Sequence, residues 1–324
     1  MNTLFHLGVD VSKTKLDCAL RLSNGKYRNK IVTNAPQGFT DLSLWLEKQG
    51  SAISDTHVCM EATGIYWEAV AEFLSNAGFR VSVINPAQIK AFGKSRLVRT
   101  KTDKADAQLI ACFCCERAPE PWRAPSLSEQ SLRAMVMRLD SLQTMHTQES
   151  NRLLVSRELL KADIQAHIDW LDEQIKQLAR RIREHIHQDP DLHDKQKLLE
   201  SIPGVGERTI ALLLAFSISP QRFDNARQAA AFAGLDPRLH ESGTSVHDKP
   251  RLSKIGHAFL RKALYMPAMT ALYRTDWGKR FFLRLSRAGK AAKLIIGAMM
   301  RKLIHVAFGV LKSAKPFDPS LHDA

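Results

Sequence analysis

The stretch Leu4-Phe-His-Leu-Gly-Val-Asp-Val11 decides the fold of the first part of the chain, because it is an apolar strand that contains one carboxylate, Asp10. A charge inside an apolar strand is costly unless a partner binds it, so Asp10 marks a candidate site. Strand-like and helix-like patterns alternate beyond it, with an Asn24-Gly25 hairpin turn after the second strand. The predicted elements are strands 4–11, 17–22 and 27–33, helix 38–48, strand 57–61, helix 66–77, strand 80–85, a short helix from Pro86 and helix 102–117. This order predicts an α/β domain with a mixed sheet flanked by helices.

The rest of the chain has a helical pattern. Within residues 127–187, apolar side chains are separated by alternating steps of 4 and 3 residues, which indicates a coiled-coil seam that ends at Asp189-Pro-Asp191. The seam residues are Ile164, Ile168, Leu171, Ile175, Leu178 and Ile182. Such helices either form an arm that joins or pairs parts of the protein, or pack within one bundle. We therefore predict three domains, at residues 1–124, 125–196 and 197–324, of which the last is helical and includes a predicted helix over 257–273.

Composition excludes several classes of protein. The 324 residues are 44% hydrophobic and 25% charged, which excludes collagen-like, low-complexity and disulfide-scaffold chains. We see no apolar run of the about 18–20 residues that a membrane span needs and no signal-like start, so we expect a cytoplasmic protein without a membrane partner. Five cysteines, of which Cys114 and Cys115 are adjacent, do not suit disulfides. Cys112, Cys114 and Cys115 lack the second pair that a structural zinc site needs, so we expect buried helical side chains.

Positive charge is concentrated at one end of the sequence. The chain carries 47 basic and 33 acidic residues, for a net charge of +14, and residues 201–324 alone carry 20 basic and 8 acidic residues. This concentration favours a polyanionic partner, most often nucleic acid. A solvated basic surface or binding to anionic lipid are the alternatives, and the second lacks an amphipathic anchor.

Four carboxylates of the first domain lie at or near the ends of predicted strands and of a predicted helix. Asp10 and Glu61 lie in or at the end of apolar strands, and Asp103 and Asp106 share a face of a predicted helix. If they converge, their mutual repulsion calls for divalent cations, and oxygen ligands favour Mg²⁺ or Mn²⁺. Two such ions would suit a phosphodiester displacement. The structural alternatives are a pair between Asp10 and Lys13, a turn cap at Glu61, and helix-dipole roles for the two helical aspartates.

Four segments together resemble the DEDD transposases of bacterial insertion sequences, a family that includes Piv-type DNA invertases and bridge-RNA-guided recombinases. They are Gly8-Val-Asp-Val-Ser-Lys13, Met60-Glu-Ala-Thr-Gly64, Val83-Ile-Asn-Pro-Ala87 and Lys101-Thr-Asp-Lys-Ala-Asp106. The resemblance covers essentially the whole chain. It implies a RuvC-like, ribonuclease-H-type first domain whose acidic quartet is Asp10, Glu61, Asp103 and Asp106.

The basic domain contains a second group of candidate residues. Leu199-Glu-Ser-Ile-Pro-Gly-Val-Gly-Glu-Arg208 has the form of a helix-hairpin-helix, in which Gly204 and Gly206 permit a tight turn and the N–H groups of the following helix, with Arg208, hold a phosphate. A plain interhelical turn is the alternative. The polar stretch 240–254 is too long for a simple connector. The resemblance makes its Ser242 a nucleophile, and Arg251 and Lys254 are candidates to offset phosphate charge.

Together with these residues, the resemblance implies a transposase or site-specific recombinase that cuts and rejoins DNA. The resemblance further implies a covalent phosphoserine–DNA intermediate, a composite site shared between subunits of a dimer or tetramer, and a structured bridge RNA as guide. Two rivals stay open: a metal-dependent DNA junction endonuclease that uses water as the nucleophile, and a DNA-binding regulator with inert carboxylates.

Overall fold

The computed structural model describes residues 5–97, 101–238, 241–242, 246–247 and 251–322, without the side chains of 241–247 and of residue 322. The chain divides into two compact units, Met1–Ala124 and Pro125–Ala324. The first is built around a sheet, and the second is mostly helical.

A five-stranded mixed sheet forms the centre of the first unit. Its strands are β1 (Phe5–Val11), β2 (Lys15–Arg21), β3 (Tyr27–Thr33), β4 (Thr56–Glu61) and β5 (Arg80–Ile84). The order across the sheet is β3-β2-β1-β4-β5, in which β2 is antiparallel to β1 and β3, and β4 is parallel to β1 and β5. The mixed sheet predicted from the sequence is confirmed, with element ends that differ from the predictions by two residues at most.

Helices cover both faces of this sheet. They are α1 (Pro36–Lys48), α2 (Glu68–Asn76), α3 (Pro86–Ser95) and α4 (Asp103–Arg117), and a short 3₁₀ helix, Ile53–Asp55, precedes β4. One core joins the sheet to α1 and α2 through side chains such as Leu7, Leu42 and Leu74. A smaller core joins the other face to α3 and α4 through Phe92, Ile110 and Phe113.

Gly8 sets how closely α4 approaches the sheet. A Cβ atom at this position would lie 2.1 Å from the backbone oxygen of Ala107 and 2.3 Å from the backbone nitrogen of Ala111. The helix backbone therefore rests directly on β1, which only glycine permits. Thr102 fixes where α4 begins, because its side chain accepts a hydrogen bond from the Ala105 N–H at 3.2 Å.

The second unit contains nine helices among its described residues. They are α5 (Leu127–Val155), α6 (Glu158–Gln188), α7 (Pro190–Glu200), α8 (Glu207–Ala215), α9 (Ala226–Phe232), α10 (Ala258–Ala263), α11 (Tyr265–Arg274), α12 (Asp276–Arg287) and α13 (Ala292–Ser313). Four two-residue strands lie between α9 and α10: β6 (Pro237–Arg238), β7 (Glu241–Ser242), β8 (Val246–His247) and β9 (Arg251–Leu252). Strand β6 pairs with β9, and β7 pairs with β8. A 3₁₀ helix, Pro319–His322, follows α13.

The apolar seam of α5 and α6 packs inside this chain. The two helices lie against each other, α5 also contacts α8, and buried Leu132, Leu139, Leu171 and Ile182 belong to the same core as α8 and α13. Asp189 ends α6 and caps α7 by accepting a hydrogen bond from the Leu192 N–H at 3.0 Å. The observed packing is that of one bundle, and a contact between subunits through these helices stays a prediction.

The helix predicted over 257–273 is wrong as a single element. It is divided at Leu264 into α10 and α11. Pro267 explains the break, because proline has no N–H to bond one turn back and is tolerated only in the first turn of a helix, where α11 places it.

Helix α13 corrects the expectation that no segment reaches the length of a membrane span. Its 22 residues are long and apolar enough for a span by length and composition. However, 61% of its most apolar window is buried inside the protein. Its apolar side chains, Ile295, Met299, Leu303 and Phe308 among them, belong to the core of the second unit. This burial is typical of the core helix of a folded domain.

Candidate active site and nucleic-acid interface

The first unit brings its predicted carboxylates together at one edge of the sheet. Asp10 lies near the end of β1, Glu61 ends the parallel neighbour β4, and Asp103 and Asp106 occupy the first turn of α4. The pKa of Asp10 is raised to about 6, first by burial and then by the carboxylates of Asp106, Asp103, Asp17 and Glu61. All four predicted residues therefore belong to one electrostatic cluster.

Lys15 contacts two carboxylates of this cluster. Its Nζ lies 2.7 Å from Asp103 Oδ2 and 3.0 Å from Asp17 Oδ2, so it joins the helix to the neighbouring strand. The hydrogen bond and charge of Lys15 lower the pKa of Asp103. The sequence alternative paired Asp10 with Lys13, whereas the described ion pairs place Lys15 beside the cluster.

Asp17 is a fifth carboxylate that the sequence analysis missed. It is directly opposite Asp10 in the antiparallel pairing of β1 and β2, and it is buried. The signal was present in the hairpin, because side chains opposite each other across two strands share a face. Finding it required the register of β1 and β2, which the sequence alone did not supply.

The donor atoms at this edge fit a divalent cation. The predicted ligands Asp10, Glu61, Asp103 and Asp106 offer only oxygen atoms, which Mg²⁺ and Mn²⁺ prefer. Burial raises the pKa of Asp10 most, and the neighbouring carboxylates raise it further, which a bound cation would oppose. Glu61 is partly held by its own turn, because the Thr63 hydroxyl donates a hydrogen bond to Glu61 Oε1 at 3.0 Å. This arrangement suits chemistry at a phosphate, whose charge a bound cation would offset.

In the second unit, the predicted phosphate-binding turn connects α7 to α8. Gly204 has a φ of +89°, and a Cβ there would lie 3.0 Å from Ala271 Cα, so close packing on α11 also requires glycine. Gly206, the N-cap of α8, has a φ of −90° and no atom within 4 Å of an added Cβ. The tight turn therefore depends on Gly204, and the prediction that it also needs Gly206 is not supported.

A groove of about 750 Å³ lies beside this turn, between α5, α6, α8, α10 and α11. Its lining includes both glycines and the cationic side chains of Arg183, Arg208 and Lys262. Arg208 is exposed. Arg183 lies 3.3 Å from Glu207, and Lys262 lies 3.2 Å from Asp140, so these two cations have carboxylate partners.

Ser242 lies in β7, where its backbone pairs with Val246 of β8. Its side chain, and all of His240 and Ser245, lie outside the described residues. Arg251 is exposed in β9, opposite Arg238, and Lys254 is exposed with a φ of +56°. The structure thus places the two predicted cations on the segment that leads out of the serine loop.

The chain is similar to known proteins over most of its length. A family model described as a transposase (DEDD_Tnp_IS110) matches residues 7–161, and one described as the transposase IS116/IS110/IS902 family matches residues 196–283. The pilin gene-inverting protein of Moraxella bovis is 34% identical over 98% of this chain and 99% of its own length. A protein of insertion element IS110 from Streptomyces coelicolor is 30% identical over 38% of this chain and 30% of its own length. Among solved structures, RuvC of Thermus thermophilus matches with 16% identity and a TM-score of 0.27, over 36% of this chain and 98% of its own.

Proposed function

This chain belongs to the IS116/IS110/IS902 transposase family, and on that premise we propose that it cuts DNA strands and rejoins them in a new arrangement, as a transposase or a site-specific invertase. Inversion is included because the Moraxella bovis relative, named for inverting a pilin gene, is similar over the full length. We propose DNA as the substrate and the cytoplasm as the location of the protein.

One observation carries the proposal: the acidic cluster that β1, β4 and α4 assemble in the first unit. Burial and four other carboxyl groups there raise the pKa of Asp10 to about 6. A purely structural role does not account for this, because burying mutually repelling charges costs stability. A cluster of carboxylates that can bind divalent cations is what a metal-assisted phosphodiester reaction requires.

We assign the divalent cation, Mg²⁺ or Mn²⁺, to Asp10, Glu61, Asp103 and Asp106. When bound, such an ion supplies Lewis-acid stabilisation of charge on the scissile phosphate. The chain contributes positioning. Gly8 lets α4 lie against β1, Thr102 fixes the first turn of α4, and Lys15 holds Asp103 beside Asp17. A bound cation would favour the ionised form of Asp10 and so offset the effects that raise its pKa.

The nucleophile we propose is Ser242, supported by the resemblance of its Glu-Ser-Gly segment to the serine recombinases of this family. In the balanced step, the Ser242 oxygen loses its proton and bonds to phosphorus, while the bond from phosphorus to the leaving sugar oxygen breaks and that oxygen gains a proton. The product is a phosphoserine–DNA link, which a free DNA hydroxyl later displaces. Exposed Arg251 and Lys254 are the proposed cations for the phosphate.

The nucleic-acid surface we propose lies on the second unit, at the turn between α7 and α8. Gly206 is open to solvent, and Arg208 follows it at the start of α8, where backbone N–H groups attract anions. Such contacts position a backbone and do not distinguish bases. Recognition of a particular DNA sequence therefore needs another component. On the family resemblance we propose a structured bridge RNA for this role, bound by a dimer or tetramer of the protein.

The decisive experiment traps the covalent intermediate. The protein is incubated with labelled DNA that spans the ends of its own element, then denatured and resolved by gel electrophoresis. We expect a DNA-linked protein band with the wild type and with the control Ser245→Ala, and no such band with Ser242→Ala or Asp10→Asn. If Ser242→Ala still cleaves DNA and no adduct forms with the wild type, the junction endonuclease is the correct function.

The regulator alternative predicts a different pattern. A DNA-binding regulator would bind its site equally well as the wild type and as Asp10→Asn, and neither would cleave. Sequencing the nucleic acid that co-purifies with the protein tests the guide. One discrete RNA from the flank of the element supports guided recombination, whereas heterogeneous nucleic acid contradicts it.

A further inference from the structure

A second group of polar side chains lies on the same sheet face as the acidic cluster, and no step of the proposed reaction uses it. His57 and Cys59 alternate with Glu61 along β4, so all three point to the face that α4 covers. Cys114 comes from α4, and Ser82 is paired with Cys59 across β4 and β5. His57, Cys59, Ser82 and Cys114 are all fully buried.

The donor atoms of this group converge. His57 Nε2, Cys59 Sγ and Cys114 Sγ all lie within 4.8 Å of one another, and Cys59 Sγ is 3.9 Å from His57 Nε2. Tetrahedral zinc ligands of these types are separated by about 3.5–3.8 Å, as follows from their usual bond lengths. Contraction by at most about 1.3 Å, within the reach of rotamer changes, would bring the three atoms to a common ion.

Ser82 offers a fourth donor atom, its hydroxyl oxygen. Its Oγ lies 2.8 Å from His57 Nε2, and its hydroxyl is within hydrogen-bonding distance of the backbone oxygens of Pro119 and Glu120. The hydroxyl hydrogen is thereby directed to a carbonyl, and a lone pair of the oxygen accepts the hydrogen bond of the His57 Nε2–H. Binding of an ion would require the imidazole proton to move to Nδ1, which frees Nε2 and this lone pair.

The charge balance of the group suits its burial. One imidazole and two thiols are neutral, and binding of Zn²⁺ with loss of two thiol protons to solvent leaves a complex without net charge. A neutral complex avoids the cost of placing an isolated charge in an apolar interior. Thiolate and imidazole ligands select Zn²⁺ over the Mg²⁺ that carboxylates prefer, so the two clusters differ in the ion they take.

We propose that His57, Cys59 and Cys114, with Ser82 in the fourth position, form a structural site for a thiophilic cation, Zn²⁺. The ion links β4 to α4 near the carboxyl end of the helix. The other end of that helix carries Asp103 and Asp106, so the site fixes the helix that supplies half of the acidic quartet. The spacing of Cys112, Cys114 and Cys115 argued against zinc, but the partners of Cys114 come from β4.

The test measures metal content in the intact protein. Full-length protein is equilibrated with zinc under reducing conditions, dialysed against metal-free buffer and analysed by mass spectrometry for metals. We expect about one zinc per chain in the wild type, in the control Cys112→Ser and in Asp10→Asn, and at least tenfold less in Cys59→Ser and Cys114→Ser. The Asp10→Asn variant separates this site from the acidic cluster, and Cys112→Ser is a cysteine change on the same helix.

A second measurement does not depend on the folding of the variants. Wild-type protein loaded with Co²⁺ is expected to show the near-ultraviolet charge-transfer absorption of a cobalt–thiolate bond. The proposal is overturned if the wild type retains no zinc, if the Cys59→Ser/Cys114→Ser double variant retains as much as the wild type, or if the Co²⁺ spectrum lacks the thiolate band.

Discussion

Asp10 lies half-buried among other carboxyl groups, and its protonation couples the acidic cluster to the stability of the first unit. Its pKa is raised from 3.8 in the unfolded chain to about 6 in the folded protein. Below about pH 3 both states hold the proton, and Asp10 then behaves like a neutral side chain for stability. As the pH rises through 6 the folded state must release the proton against its surroundings, so the free energy of unfolding falls.

We therefore expect Asp10→Asn to stabilise the metal-free protein by about 1–2 kcal/mol above pH 6, after discounting the shift for partial exposure, and by progressively less as the pH falls toward about 3. Thermal denaturation in the presence of a chelator, repeated from pH 4 to pH 8, measures this difference. Saturating Mg²⁺ should reverse the order, because binding stabilises the wild type more. Asp41→Asn, a change at an exposed carboxylate, is the control and should show no pH-dependent gain.

Gly8 provides a steric prediction at the same scale. Gly8→Ala should destabilise the first unit by about 3 kcal/mol and displace α4, because the new Cβ would overlap the backbone at Ala107 and Ala111. Cleavage should fall with it, since α4 carries two of the carboxylates. The matched control is Gly206→Ala, which meets no atom within 4 Å and should cost less than about 1 kcal/mol in urea denaturation. Equal costs at the two glycines would contradict the close packing of α4 on β1.

Individual site residues were predictable from the sequence where a local pattern identified them. Asp10 is recognisable because it is the charge within an apolar run, and Asp103 and Asp106 because helical spacing puts them on one face. Asp17 was not predictable, since its importance depends on pairing opposite Asp10. The convergence of His57, Cys59 and Cys114 was also hidden, because it joins a strand to a helix more than fifty residues away in sequence.

At the scale of elements, the apolar seam of α5 and α6 is buried within the second unit and should contribute to the stability of that unit. Leu171→Ala should cost about 2–5 kcal/mol, because Leu171 is fully buried in the core of the second unit. Leu154→Ala, at a side chain that is 82% exposed, should leave stability unchanged. Denaturation at several protein concentrations checks both. A cost at Leu171 that disappears at high protein concentration would instead indicate burial between subunits.

Elements with strong periodicity were predicted well, and those set by tertiary context were not. Strand and helix order in the first unit follows from alternating apolar patterns and turn residues. The division at Leu264 was missed because the apolar face continues across it, and the weight of Pro267 was underestimated. The two-residue strands were missed because they are too short for any periodic signal, and helix α7 was missed because only Leu192 and Leu199 of its eleven residues are buried.

For the molecule as a whole, the uneven charge predicts how binding depends on salt. Residues 201–324 carry the excess of basic side chains, so affinity for duplex DNA should fall steeply as salt concentration rises. Arg208→Ala should lower affinity for all DNA sequences and reduce the slope of log K against log salt by about 1. Arg180→Ala, at an exposed arginine of α6 that pairs with Glu184, is the control and should leave the slope unchanged. Fluorescence anisotropy at several salt concentrations measures both slopes.

The position of helix α13 in the sequence also affects the order in which the two units fold during synthesis. It packs against α7, α9, α11 and α12, so the core of the second unit is incomplete until residues 292–313 have left the ribosome. The first unit has all its strands and helices within its first 117 residues and is free to fold earlier. The acidic cluster is thus assembled before the surface that we propose for DNA. A nascent chain would therefore acquire the proposed DNA-binding surface only after residues 292–313 have been synthesised and have packed against the rest of the second unit.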